Sequence, residues 1–127
     1  MSDIEVLILS SGRFPYLKTT LRSLVKAAFS EDARFTLFIN CNPPVDQLSE
    51  LKSWFSRISG HELGVIRVSG HRHRDLLFAA INYSLNFSTV LITEDDHIFS
   101  NKLSALTIRN LSYLSKRYSQ ISFSATH

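Results

Sequence analysis

Three carboxylates stand in a row at Glu94-Asp95-Asp96, directly after the apolar run Thr89-Val90-Leu91-Ile92-Thr93. Such crowding is unfavourable unless a cation or a bound substrate offsets the repulsion. Their oxygens suit a hard divalent ion, Mg²⁺ or Mn²⁺. Mg²⁺ takes one or two protein carboxylates and fills the rest of its sphere with phosphate oxygens and water. On an extended backbone Glu94 and Asp96 point to one face and Asp95 to the other, so the three need not share one ion. Asp96 is the expected direct ligand. Asp95 is expected to accept from ribose hydroxyls, and Glu94 to orient the site. The competing reading is an exposed acidic turn at the positive end of a following helix.

Three other polar segments follow apolar runs: Ser10-Ser11-Gly12-Arg13, Asn40-Cys41-Asn42 and Gly70-His71-Arg72-His73-Arg74. Gly12 permits close backbone approach, and Arg13 offers a planar fork for a diphosphate or a base. Asn40 and Asn42 carry amides able to read a base edge, or they serve as turn formers ahead of Pro43. Arg72 and Arg74 precede a helix whose first amides can also hold phosphate. The histidines at 71 and 73 lack an evident third metal ligand. Together the four segments supply amides and hydroxyls for a base and sugar, cations for phosphates and carboxylates for a metal. That set matches a nucleotide diphosphate with a divalent ion.

The elements that must position these groups alternate between strand and helix. Strands are expected at Ile4 to Leu9, Phe35 to Ile39, Leu63 to Val68, Thr89 to Thr93 and Gln120 to Ser124. The fourth is apolar without alternation, as in a strand buried on both faces. A helix follows Pro15, with Leu17, Leu21, Leu24, Val25 and Ala28 at helical spacing. A second follows Pro44, with Val45, Leu48, Leu51, Trp54, Phe55 and Ile58 as one stripe, and Gly60 stops it. A third runs from about Arg74 to Asn86, with Leu77, Ala80, Ile81 and Leu85 inward. A fourth begins at Ser100 and carries Leu103, Leu106, Leu111 and Leu114. The alternation implies right-handed crossovers and an α/β fold: a mostly parallel sheet with helices on both faces. The carboxyl ends of the first four strands, and with them the four polar segments, then share one edge, where open α/β sheets bind ligands.

Composition sets the frame. At 127 residues the chain is expected to be a single domain, and 44% hydrophobic content is enough to build a core. No apolar run approaches the roughly 20 residues that span a bilayer, so no transmembrane segment is expected. The Met1-Ser2-Asp3 start has no signal-peptide pattern, and a cytoplasmic location is expected. A single cysteine, Cys41, excludes an intrachain disulfide. A net charge of +3, with basic residues scattered except around His71 to Arg74, is too little to expect nucleic acid and suits a small anionic ligand. There is no G-x-x-x-x-G-K-[ST], G-x-G-x-x-G or G-x-S-x-G motif. A receiver domain is rejected, because Ser10-Ser11 and Ser69-Gly70 stand where its acidic residues belong.

The stretch Val6 to Leu17, with Leu21, Ser23 and Leu24, resembles the opening strand and helix of the GT-A class of nucleotide-sugar glycosyltransferases. The stretch from His73 through Ala80 to Val90-Leu91-Ile92-Thr93-Glu94-Asp95-Asp96-His97-Ile98-Phe99 is similar to the segment leading into that class's D-x-D-type motif. The Glu-Asp-Asp form is similar to that of the N-acetylglucosaminyltransferase I family, with family 2 the other near relative. The resemblance implies a Rossmann-like GT-A fold, a UDP- or GDP-sugar donor and Mn²⁺ or Mg²⁺. It gives Asp96 the metal-ligand role, Asp95 a supporting role near the donor, and Ser10, Ser11, Gly12 and Arg13 a place against the nucleotide. Relatives often carry an Asp where this chain has Asn40. Members of the class are usually about twice this size, and the further part supplies the acceptor site and the general base. No catalytic base is identified in this chain, and the acceptor is left open. Three readings stay open: a piece of a larger transferase, a minimal domain completed by a partner chain or a second copy, or a remnant that binds without transfer. The alternative from another class is a non-catalytic α/β module that binds nucleotide or protein.

Overall fold

Runs rich in leucine, isoleucine and phenylalanine form the strands, and proline and glycine punctuate the connections between them. The computed structural model describes residues 4–27 and 33–95. The elements are β1 (Ile4–Ser10), α1 (Phe14–Lys26), β2 (Ala33–Ile39), α2 (Val45–Ser59), β3 (Leu63–Arg67), α3 (His73–Ser84) and β4 (Val90–Glu94). All lie within a few residues of the spans expected from hydrophobic periodicity. The helix expected from Ser100 and the strand at Gln120 to Ser124 lie outside the described residues.

The strands form one parallel sheet in the order β3-β2-β1-β4. Right-handed crossovers then dictate where the helices go. The chain steps from β1 to β2 to β3 in one direction, so α1 and α2 share a face. It returns past β2 and β1 to reach β4, so α3 takes the other face. The core divides accordingly. Ile4, Val6 and Ile8 of β1 pack with Leu17, Leu21 and Leu24 of α1 and with Leu51 and Phe55 of α2. Leu7 and Leu9 pack with Phe38 of β2 and with Leu76 and Ala80 of α3. All seven residues of β1 are buried, as befits a strand covered on both faces and both sides.

Three expectations are corrected by this arrangement. The fourth strand is not fully buried on both faces. Leu91 and Thr93 are buried towards α1, while Val90 and Ile92 are only half-buried beside α3. The reason is position: β4 is at the margin of the described sheet, and α3 packs on β1 and β2. The third helix is also rotated from its expected stripe. Leu76 and Ala80 face the sheet and Leu77 is half-buried, whereas Ile81 and Leu85 are exposed, together with Phe78. Periodicity marks an apolar arc wider than the contact that α3 makes. On α2, Leu51 and Phe55 are the buried positions, and Val45 and Ile58 at its ends are exposed. Among the described residues no helix is long and apolar enough to cross a membrane.

Candidate functional site at the carboxyl edge of the sheet

The order β3-β2-β1-β4 reverses direction between β1 and β4, and crevices outside the carboxyl ends of strands open at such a reversal. The loops that follow β1 and β4 meet there. Asp95, immediately after β4, is 1% exposed. Its Oδ2 accepts from Ser10 Oγ at 2.8 Å, and its Oδ1 accepts from Arg13 Nη2 at 2.6 Å. Its backbone carbonyl accepts from Thr20 Oγ1 of α1 at 2.8 Å. Ser10 Oγ in turn accepts from the Gly12 amide at 3.1 Å, so that hydroxyl is used both as donor and as acceptor. Thr20 is a residue that the sequence reading missed. Its signal is a hydroxyl at a buried position in the α1 stripe, between Leu17 and Leu21.

The remaining loops join the same rim. Gly12 adopts φ +111°, and a Cβ there would lie 3.1 Å from Cys41 Sγ, so the turns after β1 and β2 touch. The Asn40 side-chain amide donates weakly to the Arg72 carbonyl at 3.4 Å, which links the turns after β2 and β3. His73 Nε2 lies 2.8 Å from Glu94 Oε1, which links the start of α3 to the end of β4. The α3 terminus is itself fixed, because Asp75 Oδ2 accepts from the Arg72 amide at 3.1 Å. Gly70, at φ +101°, packs so closely on that carboxylate that a side chain there would collide with it. Contacts thus run from the β4 loop to the β1 loop, to the β2 loop, to the β3 loop and back to β4.

The carboxylates Glu94 and Asp95 have different partners, Glu94 with His73 of α3 and Asp95 with Ser10 and Arg13. Each has a basic neighbour of its own, His73 for Glu94 and Arg13 for Asp95. The Arg13 guanidinium offsets the Asp95 charge within the chain. Ser11, Gly12, Arg13, Asn42, Arg72 and Arg74 are exposed on this rim, and Asn40 is half-buried. Ser10 and Asp95 lie beneath it. Asp96 lies outside the described residues. Among those residues no three His, Cys, Asp or Glu side chains converge as a metal cluster. The donor set for a hard cation is narrower: the Glu94 side chain is 41% exposed and oxygen-bearing, whereas Asp95 is enclosed. One accessible carboxylate fits an Mg²⁺-type ion that draws its other ligands from phosphate and water.

No protein-family model matches the chain, and no curated protein matches its sequence. Solved structures do match. A structure of S. aureus TarS 1-349 aligns with TM-score 0.62 at 15% identity, covering 94% of this chain and 33% of that one. Another structure of S. aureus TarS aligns with TM-score 0.61 at 12% identity, covering 94% of this chain and 20% of that one. S. aureus TarS 1-349 in complex with UDP aligns with TM-score 0.57 at 15% identity, again over 94% of this chain and 33% of that one. At these identities the likeness is one of fold alone, a Rossmann-like α/β fold with a parallel sheet. The chain spans a third or less of the length of the structures it matches.

Proposed function

We propose that the four-loop rim binds the nucleotide diphosphate of a sugar donor, UDP- or GDP-linked, and that the chain is the donor-binding part of a metal-dependent glycosyltransferase. The observation that carries this reading is the junction of Ser10, Gly12 and Arg13 with Asp95 at the strand-order reversal, on a fold shared with a UDP complex. The motif resemblance favours the family 2 and N-acetylglucosaminyltransferase I-like members.

In this reading Asp95 serves the donor from behind. It holds Arg13 in place, so that the exposed part of the guanidinium is pre-oriented towards a diphosphate. Ser11 and the Gly12 backbone line the approach of the nucleotide, and Asn40 and Asn42 offer amides to the base. Arg72 and Arg74 add positive charge beside the first amides of α3. Glu94 and Asp96 are the groups to hold Mn²⁺ or Mg²⁺. When bound, the ion supplies charge neutralisation at the departing diphosphate. The acceptor site belongs to a further part of the protein or to a partner chain, because this chain covers only 33% and 20% of the matched structures.

Calorimetric titration with UDP and GDP, with and without Mn²⁺, tests this reading. Metal-dependent nucleotide binding is expected, and Asp96→Ala should weaken it by tenfold or more, on the order of the loss of one charge-assisted ligand. Equal affinity with and without the ion would overturn the metal-dependent reading. The shared fold, spanning only a third of a longer chain, also favours a second reading, a binding module without transfer. Hydrolysis of a donor sugar by the chain separates the two.

A further inference from the structure

Trp54 is the only tryptophan in the chain. It is half-buried on α2, packed against the core that α1 and α2 share. Two cations of α1 lie over its indole: Lys18 Nζ at 5.3 Å and Arg22 Cζ at 5.6 Å from the ring centroid. Four residues apart, they are neighbours on one helix face, and Lys26 continues the row. The ring quadrupole attracts each cation but does not neutralise it. The ion pairs among the described residues join Arg13, Arg34 and His73 to carboxylates, and neither Lys18 nor Arg22 takes part in one. Glu50, one turn before Trp54 on the same flank of α2, pairs with neither cation. Among the described residues, two like charges thus lie side by side with an aromatic support and no counter-charge within salt-bridge distance.

We propose that Lys18 and Arg22, braced against Trp54, form a phosphate-binding site separate from the four-loop rim. A guanidinium fork and an ammonium are the two side chains suited to phosphate oxygens. Their contact with the indole restricts both long side chains before the ligand arrives, which lowers the entropy lost on binding. The site begins about 7 Å along α1 from Arg13 and extends to about 13 Å. It lies on the α1 flank facing α2. The phosphate belongs either to a soluble phosphoryl compound or to a lipid headgroup, and the test separates them.

Because Trp54 has no other indole to obscure it, its emission reports the site directly. The chain is titrated with inorganic phosphate, with phosphatidylglycerol vesicles and with phosphatidylcholine vesicles, at low and high salt. A saturable emission change with phosphate or with phosphatidylglycerol, weakened by salt, is expected. A response to inorganic phosphate assigns a soluble ligand, and a response to phosphatidylglycerol alone assigns a headgroup. The paired substitution Lys18→Gln with Arg22→Gln should abolish the response, while Lys18→Arg retains it. Flat emission with every probe, or an undiminished response in the paired variant, overturns the proposal.

Discussion

Arg13 Nη2 lies 2.6 Å from Asp95 Oδ1, across 82 positions of sequence, and the two side chains differ sharply in exposure, 53% against 1%. The aspartate is structural at its base, and the arginine presents part of its fork to the outside. With the bonds from Ser10 and Thr20 to Asp95, this pair closes the seam between β1 and β4, where the strand order reverses.

Replacing Asp95 by alanine removes the acceptor for Ser10, which is itself buried, and for Arg13. A buried hydroxyl left without a partner costs about 1–3 kcal/mol. The half-exposed arginine adds little, because water takes up its charge. Asp95→Ala should therefore lower unfolding stability by about 2–3 kcal/mol in denaturant titration. A loss below about 0.5 kcal/mol would show that the seam does not depend on this carboxylate.

Gly12→Ala tests the junction between the β1 and β2 turns. The substitution forces a side chain into positive φ and brings its Cβ to 3.1 Å from Cys41 Sγ. The backbone term alone is about 1–3 kcal/mol. Adding Cys41→Ala should recover only the steric part, so the double variant should stay less stable than Cys41→Ala alone. Full recovery would mean that the turn tolerates alanine.

Thr20→Val keeps the shape of the buried side chain and deletes its hydrogen bond to the Asp95 carbonyl. A stability loss of about 1–2 kcal/mol is expected. If the proposed function holds, nucleotide affinity falls as well, since this bond helps to fix Asp95, which holds Arg13. Parallel melting and UDP titration separate the two effects.

At the opposite edge of the sheet, Glu5 is buried and bonds the Arg34 guanidinium through Oε1, while its Oε2 is without a partner among the described residues. The hydrogen bond that Arg34 donates to Glu5, and then the Glu5 charge, hold the Arg34 pKa above its ordinary value. A raised folded-state pKa contributes stability that is full below the unfolded value and fades only above it, in strong alkali. Arg34→Leu should cost about 1–3 kcal/mol, moderated because the arginine side chain is 57% exposed. The gap between wild type and variant should hold from neutrality to roughly pH 11. A gap that closes well before that pH would contradict the assignment.

Much of the fold was legible because strand and helix periods differ so plainly here. Ile4 to Leu9 has no polar break except Glu5, and Leu17, Leu21 and Leu24 repeat at helical intervals. The convergence of the four polar segments followed from parallel strands alone. The pairing of β4 with β1 was not legible, since local pattern carries no strand order. The consequence at Asp95 was hidden with it: a carboxylate in an acidic tract looks solvent-facing until its neighbour in space is known to be Ser10. Thr20 was obscured for a related reason, because a hydroxyl in an apolar stripe announces burial but not its acceptor. On α3, Ile81 and Leu85 were misplaced because the apolar arc exceeds the width of the contact.

The placement of β1 in the middle of the sheet bears on how the chain is made. β1 is made before β4, yet one side of it is paired only when Val90 to Glu94 arrive. Until then a seven-residue, fully apolar-flanked ribbon presents open amides and carbonyls to any other extended chain. Shortened products ending before Val90 are thus the species most prone to cross-pairing and aggregation, and prompt closure of the β1–β4 seam is what protects the nascent protein.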